Sequence, residues 1–273
     1  MAGRRASRDA ITREQWAAVI AASKRADARR EDEIRPAARR GRVPISRGRI
    51  VDAALGAIAA IGYDRLTMRT VADALDTGPA SLYAHVRNKS QLGDLLVGEL
   101  CSRIDLPEPD PARWQEQFLD VCGQLRDQLL QYPGIAQAAL AVVPADLTVL
   151  RVGEVLFALL LAGGVSAQDA AWTSDAAFLY ITAYCLEASV AERQGEDVHG
   201  EVVDRAEIAE RLKMLPVEQF PNTVAFAREL TAGEGHDRFD YTLRLMMRGL
   251  SSTSPSVPPA PAQDDRRPRR GPH

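Results

Sequence analysis

Residues 67–86 read TMRTVADALDTGPASLYAHV, and this stretch decides the fold. Thr67 is a helix N-cap, because its hydroxyl can accept a hydrogen bond from a backbone N–H of the first turn. The helix it opens, predicted over 67–75, puts Val71, Leu75 and the small Ala72 and Ala74 near its packing side. Asp76-Thr77-Gly78-Pro79 then makes a turn: Asp tolerates left-handed backbone, Gly78 can cap, and Pro79 suits the first turn of a new helix. A second short helix is predicted over 79–86. Two short helices joined by a tight turn form a helix-turn-helix, whose second helix is suited to a DNA groove.

Working outward, Ser46 caps a supporting helix over 46–61. Its apolar face is Ile50, Ala54, Leu55, Ile58 and Ile61, and Gly62 supplies a left-handed stop. On the other side, 89–104 is helical and carries Leu92, Leu95, Leu96 and Leu100. Helical periodicity continues over 111–131, 134–141, 145–162, 166–193, 220–232 and 236–250, and no sustained apolar/polar alternation predicts a sheet. The fold class is all-α. Residues 12–34 form a further, weakly docked helix that Pro36 stops, and 37–45 is an extended basic arm. Residues 195–216 are an acidic, initially irregular stretch, either a surface loop or a mobile lid. The Ser-, Pro- and Arg-rich tail 251–273 cannot bury enough apolar surface to fold. Four segments result: a basic extension, 1–45; a helix-turn-helix domain with its connecting helix, 46–104; a helical body, 105–250; and the tail, 251–273.

Charge divides along the same lines. Residues 1–100 carry 18 Lys and Arg against 12 Asp and Glu, whereas residues 101–250 carry 12 against 23. A basic front suits a polyanion, and an acidic body is repelled by one and should face away. Cys101, Cys122 and Cys185 are odd in number and lack ligand spacing, which argues against a disulfide framework or a zinc site. No secretory signal opens the chain, and the longest apolar stretch, 155–165, is too short for a bilayer. A cytoplasmic protein without cofactor or membrane partner is expected.

The stretch 46–104 resembles the DNA-binding domain of the TetR family of transcriptional regulators in order and spacing. The resemblance rests on Gly62-Tyr63, Leu66-Thr67-Met68-Arg69, Val71-Ala72 and Leu82-Tyr83-Ala84-His85-Val86-Arg87-Asn88-Lys89. The last eight residues are most similar to tetracycline-repressor relatives. The resemblance implies a homodimer whose two recognition helices read a pseudo-palindromic operator, a small-molecule effector bound in the body, and repression relieved by that effector. It also implies that the late helices near 170–191 and 239–250 build the dimer interface. Neither His199 nor His236 has metal-ligand spacing, so chelation of a tetracycline–magnesium complex does not carry over.

Residue roles follow from chemistry. Tyr83 offers its hydroxyl to a phosphate or packs half-buried; the matching family position touches the DNA backbone. Lys89, beside Asn88 at a helix start, pairs a cation with free N–H groups and suits a phosphate. His85 is either a phosphate contact or a structural histidine, and Thr67 could lend its backbone N–H to a phosphate while capping. Arg69 is the candidate for base edges, since a guanidinium grips guanine O6 and N7 together; the alternative is a solvated arginine. Pro79 and Ala80 cannot donate from their side chains, which leaves Ser81 and apolar contact with thymine methyls. Arg39, Arg40 and Arg42 are placed to reach a neighbouring minor groove. In the body, Trp114, Phe118, Phe157, Trp172 and Phe178, with Tyr180 and Tyr184, line a pocket or form plain core, and Gln137 or Asn222 would add polarity.

Two rivals stand beside the regulator: an interaction module whose helix-turn-helix scaffolds a protein, and an all-α enzyme with an accessory DNA-binding domain. The sequence holds no GxxxxGK[ST], HExxH or GxSxG, which disfavours the enzyme. Deleting residues 1–44 should weaken operator binding and flatten the dependence of log affinity on log salt by about one charge per lost phosphate contact. Titrations at several salt concentrations check this, and an unchanged slope removes the arm from the interface.

Overall fold

A computed structural model describes residues 44–141, 146–197 and 205–252. The expected helix over 12–34, the arm with Arg39, Arg40 and Arg42, and the tail after residue 252 lie outside these residues. Within them the chain is helical: α1 (Arg47–Ile61), α2 (Met68–Ala74), α3 (Pro79–Tyr83), α4 (Lys89–Ser102), α5 (Trp114–Leu130), α6 (Ala136–Ala141), α7 (Leu147–Ala162), α8 (Ala167–Asp197), α9 (Arg205–Lys213), α10 (Pro221–Ala225), α11 (Ala227–Thr231) and α12 (Asp237–Ser252). No strand occurs among the described residues.

Local chemistry sets the limits of the first four helices. The Arg49 N–H donates to Ser46 Oγ (3.3 Å) at the start of α1, and Gly62 ends it at φ 78°. Thr67 and Thr70 form a reciprocal capping box at α2. Asp76, at φ 50°, is the non-glycine residue that takes the left-handed turn between α2 and α3. Helix α3 stops at Tyr83, short of the expected 86, because the His85 and Val86 N–H groups both turn back onto the Leu82 carbonyl (2.8 Å each). Asn88 then caps α4 by accepting from the Gln91 N–H (2.8 Å).

Ile50, Ala54, Leu55 and Ile58 of α1 join Val71, Ala72, Leu82, Val86, Leu92 and Leu96 at the helix-turn-helix end of the hydrophobic core. Ile61 and Ala74, expected on packing faces, are exposed at the ends of α1 and α2, where the helices part. Beyond this end, α4 packs on α5, α6 and α7, and α5, α7 and α8 form the body. Burial pushes the Cys101 and Cys185 thiols up to about 12 and Cys122 higher still, so all three stay protonated and unpaired. Helix α12 returns along α5 and α8. The Arg126 guanidinium fixes it by lying 4.7 Å over the Phe239 ring while pairing with Asp127 (2.7 Å) and Asp240 (3.4 Å).

Two segments differ from expectation. Part of the 195–216 stretch is helix, since RAEIAERLK brings Glu207 to Arg211 and Glu210 to Lys213 at helical spacing, while α8 runs on to Asp197. The helix expected over 220–232 breaks at Phe226 (φ −115°, ψ 28°) into α10 and α11.

Gly163, the C-cap of α7, is required for close approach. A Cβ there would stand 2.3 Å from Cε2 of Trp114, while its φ of −74° suits any residue. Gly163→Ala should therefore destabilise by steric displacement alone, about 1–3 kcal/mol, read as a lower urea midpoint at unchanged slope.

Candidate nucleic-acid interface and effector cavity

Helices α2 and α3 leave one polar surface outward. Arg69, Pro79, Ala80, Ser81 and Tyr83 are exposed, and Tyr83 keeps 52% of its surface while its neighbour Leu82 is fully buried. That division turns the start of α3 and the phenol toward solvent without loosening the core. His85 is half-buried. The Thr67 N–H donates to Thr70 Oγ1 (2.9 Å) inside the capping box.

Lys89 is likewise engaged within the chain. Its ammonium donates to the Tyr63 carbonyl (2.8 Å) and the Asp64 carbonyl (3.2 Å) and lies 4.6 Å over the Tyr63 ring. Partial burial lowers its pKa. Two of three ammonium donors are thus occupied, and the side chain ties the start of α4 to the loop between α1 and α2. Tyr63 continues the link, because its own N–H donates to the Pro133 carbonyl in the body (2.9 Å). Its ring is packed so closely on α4 that a Cβ at Gly93 would stand 2.7 Å from its hydroxyl and 3.1 Å from Ala138. Sequence reasoning passed over Gly93; the small residue one turn into an otherwise leucine-rich helix was the available signal.

Inside the body, α4, α5, α6, α7 and α8 enclose a cavity of about 370 Å³. Phe157 and Phe178 both line it, together with Val97, Cys101, Leu125 and Ser174. The other aromatic candidates sit elsewhere. Phe118 is fully buried in the core, Trp114 packs on Gly163, and Gln137 and Asn222 are exposed outside the cavity. Tyr180 and Tyr184 pack on Phe239 and bond the chain at 235–238, which seats the start of α12. Trp172 is 63% exposed and borders a surface depression with Met246, Gly249 and Leu250. Cys101, Ser174, Glu154 and Asp175 line the cavity without having been singled out, because nothing in helical periodicity separates a cavity wall from a core face.

Trp172 belongs instead to a stripe along α8: Trp172, Ala176, Leu179, Ala183, Leu186 and Val190 recur in alternating steps of four and three. Such a repeat has the spacing of a helix-to-helix seam. Leu179 remains 49% exposed, and Leu245 on the adjacent α12 remains 51% exposed. Among the described residues, no cluster of three or more His, Cys, Asp or Glu could hold a metal ion, and no helix is long and apolar enough to cross a membrane.

A helix-turn-helix joined through one helix to an all-helical body with an internal cavity is the architecture of a DNA-binding transcriptional regulator. Residues 50–94 match the model of bacterial regulatory proteins of the tetR family, and residues 106–254 match the tetracyclin repressor-like C-terminal domain. The chain belongs to the TetR family. It is 35% identical to ActR of Streptomyces coelicolor, covering 77% of this chain and 96% of the apo ActR chain at a TM-score of 0.67. The complex of ActR with actinorhodin matches at 35% identity over 77% of this chain and 98% of that one, with a TM-score of 0.66. An HTH-type transcriptional regulator of Saccharopolyspora erythraea is 26% identical over 212 residues, 77% of this chain and 86% of that protein.

If Lys89 is a clamp, Lys89→Met should lower the unfolding free energy by about 1–2 kcal/mol, as expected for hydrogen bonds from a charged donor. The salt slope of operator binding should stay unchanged, whereas loss of a phosphate contact would reduce it by about one.

Proposed function

We propose that the homodimer represses transcription from a pseudo-palindromic operator and releases it when a small apolar or amphipathic molecule enters the body cavity. The observation that carries this is the course of α4. Its first residue, Lys89, clamps the DNA reader, while Val97 and Cys101, on the same helix, face the cavity. A ligand that favours one position of α4 therefore biases the spacing of the two recognition helices, by as much as its affinity differs between the two positions. Similarity to ActR, solved in complex with actinorhodin, supports the effector role.

On this reading the reader spans 46–104 and the effector-binding and dimerisation domain 105–250. Tyr83 contacts phosphate, Arg69 and Ser81 read base edges, and Pro79 and Ala80 approach thymine methyls. His85 stands at the edge of this surface. Phe157 and Phe178 hold the effector, and Trp172 packs across the dimer seam. The protein acts in the cytoplasm and is not an enzyme. The half-sites should lie about one DNA turn, roughly 34 Å, apart.

Selection of genomic fragments by the purified protein tests the reading: sequence-selective, salt-sensitive binding upstream of a small gene set is expected, and its absence refutes it. Leu179→Glu combined with Leu245→Glu should yield a folded monomer by sedimentation whose operator affinity is at least about a hundredfold lower, since it loses the second half-site. A dimer that survives both substitutions places the interface elsewhere.

A further inference from the structure

We propose that the cavity selects a lipophilic organic cation, with an apolar, aromatic body inside and a protonated or quaternary nitrogen at the mouth between Glu154 and Asp175; this rests on the cavity being the effector site.

The lining sorts into an interior and a mouth. Val97, Leu125, Val152, Leu156, Phe157 and Phe178 make the walls apolar, and a volume of about 370 Å³ suits a small fused-ring molecule. Gly153, Glu154 and Asp175 are the lining residues that are exposed, so the opening lies between α7 and α8. A Cβ at Gly153 would meet nothing within 4 Å, which leaves that opening unobstructed.

Charge at this opening is of one sign. The lining includes Glu154 and Asp175 but no Lys, Arg or His. Neither acid forms an ion pair among the described residues. Arg151, one turn away on α7, is exposed, lies outside the lining and pairs with neither. Behind the wall stands a further carboxylate, Asp146, close enough to help raise the Cys101 thiol. Carboxylates beside low-dielectric walls focus a negative potential, which draws a cation and opposes an anion.

The interior adds one polar requirement. Ser174 Oγ is buried and has no hydrogen-bond partner, although a helical serine ordinarily bonds a carbonyl one turn back. A ligand N–H, hydroxyl or carbonyl reaching Ser174 would remove that cost. The protonated Cys101 thiol is a poor nucleophile.

Three ring-matched probes separate charge from shape: proflavine as cation, acridine as neutral species and acridine carboxylate as anion, titrated calorimetrically into the full-length protein without DNA near neutral pH. Proflavine should bind about tenfold or more tighter than the carboxylate. Glu154→Gln with Asp175→Asn should weaken proflavine by about tenfold while leaving acridine unchanged. Gly153→Trp, which fills the opening from a position with free space, should abolish binding of all three. Equal affinities that all vanish in Gly153→Trp overturn the charge selection and leave the effector cavity standing. A proflavine preference that survives the double acid substitution, proflavine binding that survives Gly153→Trp, or no binding by any probe also overturns the proposal. The cavity reading itself is judged separately, by whether Gly153→Trp abolishes operator release by culture extract of the source organism.

Discussion

Helix α4 has to serve both the reader's end and the body's end of one continuous hydrophobic core with one set of side chains, and most other features of the molecule follow from that constraint. Leu92 and Leu96 complete the reader's end under the recognition helix, while Val97, Leu100 and Cys101 turn into the body. A helix 14 residues long presents both sets only if its partners approach closely. Gly93 and Gly98 provide that approach: the first receives the Tyr63 hydroxyl and Ala138, and the second receives the Asp146 carboxylate, 2.9 Å from where a Cβ would stand. Well-packed interiors respond to displacement by switching between arrangements rather than by deforming gradually. A helix shared between the two ends of such an interior passes a shift at one end to the other.

The Lys89 clamp takes its meaning from the same constraint. A cation at the start of a helix is unfavourably placed with respect to the helix dipole. Here it is compensated by two carbonyls and an aromatic face from the loop after α1. Tyr63 is bonded at once to Lys89 through its carbonyl and to Pro133 through its N–H, so the reader is attached to the body by a backbone relay as well as by α4. From Pro133 the relay continues, since the Gly134 N–H donates to the buried Ser189 Oγ of α8 (3.0 Å). The reader's position is thereby referred to the helix that carries the exposed seam.

How much of this the sequence discloses depends on the range over which each determinant acts. The caps at Ser46 and Thr67, the left-handed Asp76 and the stop at Gly62 operate within a few residues, and each reads directly from the chain. The family resemblance over 46–104 carried the same segment further, to transcriptional regulation and a dimer. Lys89 illustrates the limit. Its residue type and place predict a phosphate ligand; its two carbonyl partners are 25 and 26 positions away, and only the packed structure brings them within reach. Phe118 and Phe157 differ in the same way: both lie on apolar helical faces, yet one fills a core and the other borders a void. Periodicity reports which face is inward and says nothing about whether the space opposite is filled.

The distribution of acids then separates three surfaces that composition alone merges. The excess of acid in 101–250 is a bulk property that keeps the body away from DNA phosphates. Part of it is neutralised in structural pairs: Arg126 with Asp127 inside α5, and Arg126 with Asp240 and Arg238 with Glu187, which hold α12 against the body. The seam on α8 and α12 is different in kind: along Trp172, Ala176, Leu179, Ala183, Leu186 and Val190 the chain places no charge at all, as a surface must if it is to be desolvated against a copy of itself. Since α8 is bonded through Ser189 to Gly134, next to the Pro133 carbonyl that anchors Tyr63, dimerisation does more than supply a second reader. It sets the frame against which a displacement of α4 becomes a change in the distance between two recognition helices.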